Sequence, residues 1–297
     1  WAGRVARTGS TGTTPPERAP LRRVGAGEGG EGRGGGGGLL AAFALSIVVA
    51  VFRRPDFVLS AQLWAEDGPI WFQQAHELGP LNAMLLPYNG YYHLFPRLAG
   101  AAGVLAGVRH APLAMNALSV LAYAAPVPLA LMLARTRREG WFLGLCAALY
   151  LFLPYSRETH FSATNAIWPL SIALFLLAMR LVDRADRYDH DDRADRTGRG
   201  DGADGSAGAS RQDWPVLAAI VVCGLSGPFA LFLLPVVALQ RWLRRGGERG
   251  RVPWSLVGAL AFCAAVQLAL LTTGTRGVAG DGDLIPPIAL ARILGGQ

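Results

Sequence analysis

Six long apolar stretches constrain the fold of this chain more than any other feature of its sequence. A helix of about 20 apolar residues crosses the roughly 30 Å hydrocarbon core of a bilayer, where backbone groups must be paired within the chain. The sequence therefore predicts an all-α fold, a polytopic helical bundle in a membrane. The stretches are residues 38–52, 112–134, 141–154, 167–182, 214–239 and 254–271.

The composition agrees with a membrane protein. The 297 residues are 52% hydrophobic and 16% charged, which is unusual for a soluble protein of this size. The net charge of +7 comes from arginines in short clusters between apolar stretches. Because no aromatic and basic binding module accompanies them, we expect no nucleic-acid partner. Cys146, Cys223 and Cys263 each lie within an apolar stretch, so we expect small buried side chains and no disulfide or metal set.

The arginine clusters predict the orientation of the helices. They lie in the N-terminal tail and at residues 134–140, 183–213 and 241–251, and such clusters mark cytoplasmic connections. For the last two to share a side, residues 214–239 must cross twice, with a turn at Gly227-Pro228. The prediction is about seven spans in the cytoplasmic (plasma) membrane, with the N-terminus in the cytoplasm.

The domain organisation follows from composition. Residues 1–37 are rich in glycine and polar residues, which predicts a disordered cytoplasmic tail, and residues 38–297 form the transmembrane domain. Residues 183–213 alternate Asp and Arg before turning to Gly and Ser, which predicts a flexible cytoplasmic loop. Since the chain ends soon after an apolar stretch, we expect further protein beyond Gln297.

This topology leaves residues 53–111 and 155–166 on the extracytoplasmic side. We name them the first polar segment and the second polar segment. Within the first, the glycine-rich residues 94–108 predict a short helix at the membrane surface.

Two adjacent carboxylates, Glu66 and Asp67 in "LWAEDGPIWFQQA", are the leading candidates for a site. Charges near a bilayer are costly unless they are paired, hydrated or used in function. A structural alternative is equally open, because Gly68-Pro69 would begin a helix whose dipole the two acids would cap.

Two further clusters supply candidates for substrate binding. "PYNGYYHLFPRL" contains Tyr91, His93 and Arg97. These residues suit either anchoring at a lipid interface or, for Arg97, binding of a phosphate. "YSRETHFSATNAIW" in the second polar segment is either simply hydrated or part of a site with the first, through Arg157, Glu158, His160 and Asn165.

The order of these features resembles the GT-C class of bacterial membrane glycosyltransferases. The similar segments are "AEDGPIWF", "YNGYYHLFPRL", "ETHFSATNAIWPL" and "LSGPFALFLLP", which together extend over most of residues 38–240. In that class an acidic residue of the first outer loop serves as base or orients the acceptor, a role that falls here on Asp67 or Glu66. A lysine commonly precedes the Gly-Pro turn, whereas this chain has Ser226, so Arg97 or Arg157 would contact the phosphate.

The resemblance implies transfer of a sugar from a polyprenyl-phosphate donor to an extracytoplasmic acceptor, which would be a cell-envelope glycan, lipid or protein. Membrane lipids would surround the chain. No cofactor is required by the sequence, and the resemblance leaves participation of a divalent cation open. The alternatives are a transporter or lipid flippase, for which we would expect ionisable residues at mid-membrane and repeated halves, and a non-catalytic membrane subunit.

Overall fold

The computed structural model describes residues 35–152, 161–198, 213–244 and 252–272. Regular secondary structure in these ranges is helical, apart from one isolated antiparallel bridge between Tyr88 and Tyr91. This confirms the all-α fold class. The α-helices are α1 (Gly35–Arg53), α2 (Asp56–Leu59), α3 (Gln73–Leu78), α4 (Pro80–Ala83), α5 (Leu94–Ala106), α6 (Ala111–Ala124), α7 (Pro126–Leu131), α8 (Arg137–Phe152), α9 (Ile167–Gly198), α10 (Trp214–Leu225), α11 (Phe229–Leu243) and α12 (Trp254–Thr272).

Four helical stretches within the described residues are long and apolar enough to cross a membrane. They coincide with four of the predicted spans, while the apolar helices α5, α10 and α11 are shorter. Helix α8 covers another predicted span but begins with three charged residues. The count of about seven spans therefore stays a prediction. The four long stretches are Gly36–Arg53, Ala111–Leu131, Thr164–Tyr188 and Trp254–Thr272.

The predicted break at Gly227-Pro228 is confirmed. Helix α10 ends at Leu225 and α11 begins at Phe229, because proline cannot donate the backbone hydrogen bond that a continuous helix needs. Both helices pack against α12. Together with α9 they enclose the largest core cluster, in which Leu174, Ile220 and Leu256 are fully or almost fully buried.

Helix α9 continues to Gly198, so the prediction of a flexible loop is wrong for residues 183–198. Asp183 forms an ion pair with Arg187, four residues further along the helix. Opposite charges at this spacing stabilise a helix, and the alternation of Asp and Arg that suggests a solvated loop also supplies such pairs. Residues 199–212 lie outside the described residues.

The described ends of the connections that carry the arginine clusters meet at one end of the bundle, as the topology predicts. Helix α9 is joined there to the start of α8 and to the adjacent ends of α10 and α11. Which side of a membrane this end faces stays a prediction. The pairs between elements are Arg135 with Asp183, Arg184 with Asp213 at 3.0 Å, and Arg244 with Asp186 at 2.8 Å.

The two polar segments meet at the other end of α9. Ile167 begins the helix, and its distance to Asp183 along an ideal helix is about 24 Å. At the Ile167 end, a small core of Ile70, Trp71 and Ala163 joins residues from both segments.

Helix α5 packs closely against this core because it lacks side chains at two positions. A Cβ atom on Gly100 would lie 2.2 Å from the backbone oxygen of Trp71, and one on Gly103 would lie 3.1 Å from the sulfur of Met115. One face of α5 is therefore buried within the protein. That α5 lies at a membrane surface stays a prediction.

Candidate functional site

The two adjacent carboxylates lie in an unusual succession of helical turns. Residues 65–67 form a 3₁₀ turn, residues 68–72 a π-helical turn, and α3 follows directly. Ala65 has a φ of 45°, a left-handed conformation that costs a non-glycine residue about 1–2 kcal/mol. The turn directs the two acids to different surroundings, since Asp67 is 0% exposed and Glu66 is half-buried.

Asp67 is held by the second polar segment. Its Oδ1 accepts hydrogen bonds from the backbone N–H and the hydroxyl of Thr164, both at 2.9 Å, and its Oδ2 accepts one from the N–H of Ala163 at 2.9 Å. The Ser162 hydroxyl lies 3.4 Å from Oδ1. Burial raises the pKa of Asp67, and these hydrogen bonds oppose the rise.

Asp67 therefore stabilises the start of a helix other than its own. It makes no capping bond to the helix that follows it, which was one of the two roles open from the sequence. Instead it binds the N–H groups at the beginning of the 3₁₀ turn Thr164–Ala166, which continues into α9. These N–H groups have no partner within the helix, and a carboxylate there also interacts favourably with the helix dipole.

Trp71, also in the first polar segment, makes a second contact with Thr164. Its indole N–H donates to the Thr164 hydroxyl at 2.7 Å, and that hydroxyl donates in turn to Asp67. Phe161, just before this part of the second segment, has a φ of 70° and is held by edge contacts with Phe57 and Tyr123, each at 5.5 Å between ring centroids. The two contacting stretches, residues 66–67 and 162–164, thus each follow directly after a strained residue.

The sequence Tyr88–Tyr91 forms a tight turn beside Trp71. The backbones of Tyr88 and Tyr91 exchange hydrogen bonds of 3.1 and 3.2 Å, while Asn89 and Gly90 have φ values of 51° and 83°. Positive φ at both central residues is the requirement of a type I′ turn, for which Asn-Gly is the preferred sequence. The turn brings both tyrosine rings to one place.

These rings form a cluster with two buried aromatic residues. The His93 ring stacks on Tyr91 at 4.1 Å and lies 5.1 Å from Trp71, and Tyr88 makes an edge contact with Trp71 at 5.1 Å. Burial lowers the pKa of His93 to about 4; the Tyr91 carbonyl opposes this shift and Arg97 adds to it. His93 is therefore neutral at pH 7, and its Nδ1 donates to the Tyr91 carbonyl at 3.2 Å.

Glu66 lies within electrostatic range of this cluster. Burial is the main cause of the raised pKa of Tyr88 and Tyr91, and the nearby Glu66 carboxylate raises both further. All three side chains are half-buried. One half-buried carboxylate thus lies within electrostatic range of two phenol groups that stay protonated at neutral pH.

Arg97 lies beneath the cluster, where it is 1% exposed. Its Nε donates to the Leu86 carbonyl at 3.2 Å, its Nη1 to the Gln74 side chain at 2.6 Å, and its guanidinium carbon lies 4.8 Å from the centroid of the Trp71 ring. Among the described residues, its Nη2 has no hydrogen-bond partner. In this position Arg97 does not reach lipid headgroups, and a phosphate would reach it only after rearrangement of the segment.

Two buried polar side chains attach the first polar segment to the bundle. Gln267 of α12 accepts from the N–H of Tyr92 at 2.8 Å and donates to the carbonyls of Tyr92 and Gly227, both at 3.1 Å. Ser226 accepts from the N–H of Phe95 at 3.0 Å and donates to a carbonyl of its own helix. Ser226 thus binds the start of α5.

The structure brings together six of the nine residues that the sequence indicated. Asn165 is half-buried and follows Thr164 in the 3₁₀ turn, and Glu66, Asp67, Tyr91, His93 and Arg97 lie as described above. Arg157, Glu158 and His160 lie outside the described residues. No group of three or more His, Cys, Asp or Glu side chains suited to a metal occurs in the described part of the chain.

Sequence reasoning missed the partners of the charged residues. Ser162, Thr164 and Gln74 carry the contacts to Asp67 and Arg97. A signal existed for two of them, because Ser and Thr directly before a long apolar stretch mark the beginning of a helix. Helix beginnings need acceptors for their N–H groups, and Asp67 is such an acceptor.

Comparisons with protein-family models, with curated proteins and with solved structures found no match for this chain. The class of this protein is therefore described from its fold and its site alone. The protein is helical, and four of its described stretches are long and apolar enough to cross a membrane. At one end, two polar segments are joined by a buried carboxylate.

Proposed function

We propose that this chain is an integral membrane glycosyltransferase of the GT-C class. It transfers a sugar from a polyprenyl-phosphate donor to an acceptor on the extracytoplasmic side of a bacterial cytoplasmic membrane. The observation that carries the proposal is the half-buried Glu66, which lies within electrostatic range of Tyr88 and Tyr91 and directly before the carboxylate that joins the two polar segments.

Glu66 is the general base in this proposal, and Asp67 is not. Both oxygens of Asp67 already accept hydrogen bonds, and its side chain is fully buried. A base must lie within hydrogen-bond reach of the proton that it accepts, which favours the partly exposed Glu66. Asp67 is a positioning residue, since it fixes the turn from which Glu66 projects.

The reaction is a displacement at the anomeric carbon. The acceptor hydroxyl oxygen forms a bond to that carbon as the bond to the phosphate oxygen breaks, and the phosphate departs with the electron pair. Glu66 takes the proton of the hydroxyl, a role that commonly contributes about 10²- to 10⁴-fold in rate. Arg157 is the candidate for stabilising the leaving phosphate, because Arg97 is buried under Trp71.

The test uses three isosteric substitutions in protein reconstituted in lipid vesicles with polyprenyl-phosphate sugar donors. Glu66→Gln is expected to lower kcat by about 10²-fold or more without changing thermal stability. Asp67→Asn is expected to lower both stability and activity. Glu77→Gln is the matched control, because Glu77 is exposed and, among the described residues, accepts a hydrogen bond from Gln73 of its own helix.

The proposal is wrong if Glu66→Gln transfers sugar as fast as the unmodified chain. It is also wrong if the vesicles accumulate the labelled donor on the opposite side without transfer, which is the result expected of a flippase. Measuring transfer and translocation in the same vesicles separates the two functions.

A further inference from the structure

The type I′ turn places two tyrosines where a small molecule would meet both. Tyr88 and Tyr91 are directly paired across the turn, so their side chains lie on the same face of the hairpin. Both rings contact His93, at 5.7 Å and 4.1 Å between centroids. His93 and Trp71 form a buried floor, at 3% and 0% exposure, while the two tyrosines remain half-buried.

We propose that Tyr88, Tyr91 and Glu66 bind a neutral carbohydrate ring, with the ring lying against Tyr91 and its hydroxyls bonded to Glu66 and the phenols. This inference rests on the proposed function for its assignment of the ligand, and it names the acceptor class: the acceptor is itself a sugar, in preference to a protein or a simple lipid.

The hydrogen-bonding groups of Tyr88, Tyr91 and Glu66 match a polyol. Since their pKa is raised, both phenols keep their protons and donate, whereas the Glu66 carboxylate only accepts. A sugar hydroxyl donates and accepts at once, so it can bond to both kinds of group. The C–H groups on one face of a sugar ring are apolar and slightly positive, and the face of an aromatic ring carries the complementary negative charge.

Charge distribution favours a neutral ligand over an ionic one. The Arg97 guanidinium lies 4.8 Å from the Trp71 ring, and no hydrogen bond to a carboxylate neutralises it in the described part of the chain. An ion of either sign is attracted by one of the two charges, Arg97 and Glu66, and repelled by the other, so it gains no net advantage over a neutral ligand.

The rings also need little reorganisation to bind. Tyr91 is stacked on His93, which is itself packed against Trp71, and Trp71 is fixed by its hydrogen bond to Thr164. A surface whose side chains are already ordered loses less conformational entropy on binding. The network that positions Glu66 therefore also holds the aromatic surface in place.

The experiment measures binding directly and does not depend on catalysis. Saturation-transfer NMR on the whole chain in lipid nanodiscs is performed with methyl glycosides of neutral hexoses and pentoses. Choline serves as the cationic probe and inorganic phosphate as the anionic probe. The variants are Tyr91→Ala, Tyr91→Phe and the control Tyr188→Ala, which removes an exposed tyrosine near the other end of α9.

We expect saturation of glycoside ring protons, with a Kd weakened about tenfold or more in Tyr91→Ala. Tyr91→Phe retains the ring and should stay within about threefold of the unmodified chain. Tyr188→Ala should not change the Kd. The melting temperature of Tyr91→Ala is measured in parallel to show whether this variant is folded. Tyr91→Phe keeps the aromatic ring and serves as the second variant if Tyr91→Ala does not fold.

The inference is overturned if no glycoside binds, if choline or phosphate binds in a Tyr91-dependent way instead, or if folded Tyr91→Ala binds glycosides normally. Its failure is distinguishable from that of the proposed function. Transfer that depends on Glu66, with an acceptor KM unchanged in Tyr91→Ala, rejects the sugar site and keeps the transferase. Glycoside binding that depends on Tyr91, without any sugar transfer, keeps the sugar site and rejects the transferase.

Discussion

Asp67 and Thr164 are joined by two hydrogen bonds of 2.9 Å, from the backbone N–H and the hydroxyl of Thr164 to the same carboxylate oxygen. The two residues are 97 positions apart in the chain. The contact therefore ties the first polar segment to the beginning of a long apolar helix, and four expectations follow from it and its surroundings.

Replacing Asp67 by Asn should destabilise the protein. An amide presents one N–H₂ group where the pocket supplies only donors, so a buried N–H of Ala163 or Thr164 loses its acceptor. Each such loss costs about 1–3 kcal/mol, which for a chain of this length corresponds to a melting temperature lower by about 2–5 °C. Differential scanning fluorimetry in detergent measures this shift.

Asp56→Asn is the matched control for that substitution. The Asp56 carboxylate is 56% exposed and pairs with Arg54 at the surface, so its neutralisation should change stability by less than about 1 kcal/mol. Equal shifts for the two variants would contradict a special role for the buried carboxylate.

Thr164 should be sensitive to loss of its hydroxyl and tolerant of loss of its methyl group. Thr164→Val leaves the Trp71 indole N–H without an acceptor and removes one donor to Asp67, which should cost about 1–3 kcal/mol. Thr164→Ser keeps both bonds and should cost less than about 1 kcal/mol. In a double-mutant cycle, Thr164→Val and Asp67→Asn should be non-additive by about 0.5 kcal/mol or more; additive effects would mean that the two side chains are energetically independent.

Gly100→Ala should disrupt the packing of α5. The added Cβ would lie 2.2 Å from a backbone oxygen, which cannot move without displacing residues 68–72. We expect loss of several kcal/mol, near the upper end of overpacking effects, or failure to obtain folded protein by size-exclusion chromatography. Gly144→Ala in α8, where no atom lies within 4 Å of the new Cβ, should behave like the unmodified chain, and a folded, equally stable Gly100→Ala would show that α5 packs differently.

His93 should make stability fall at acidic pH. Its pKa is about 4 in the folded protein against an ordinary 6.5, so between these values the unfolded chain binds a proton that the folded chain does not. The contribution is fully present above pH 6.5 and is lost as the pH falls towards 4, by on the order of 3 kcal/mol. Melting temperatures from pH 7.5 to 4.5 measure the slope.

His93→Asn should flatten that slope, because asparagine can still donate to the Tyr91 carbonyl but does not titrate. His110→Asn alters an exposed histidine and should retain the slope of the unmodified chain. Asp67 titrates in both variants, so its contribution cancels in the comparison. A slope unchanged in His93→Asn would assign the acid sensitivity to another group.

The sequence allowed prediction of the features that depend on composition and spacing. Helical structure in the apolar stretches, the break at Gly227-Pro228 and the shared end of the arginine-rich connections follow from chain-local signals. The extension of α9 beyond Val182 could not be predicted in this way, because alternating Asp and Arg residues are equally compatible with a solvated loop and with a helix that has i,i+4 ion pairs. The partners outside α9 distinguish the two, and these are Arg135 just before α8, Asp213 just before α10 and Arg244 just after α11.

Within the site, neither the different burial of Glu66 and Asp67 nor the burial of Arg97 could be predicted. Neighbouring residues on a helical turn point in directions about 100° apart, so the choice of which acid is buried depends on the 3₁₀ and π-helical geometry of residues 65–72. Arg97 can be buried because Gln74 and the Leu86 carbonyl accept its hydrogen bonds. No local sequence pattern predicts such partners.

The left-handed conformations of Ala65 and Phe161 have a consequence for inheritance. Each comes directly before one of the two stretches that Asp67 connects, residues 66–67 and residues 162–164. A sequence change in one stretch therefore requires a compensating change in the other. Homologous chains should therefore alter residues 65–67 and 161–164 jointly, as a matched set, and a chimera that exchanges only one of them should fold poorly.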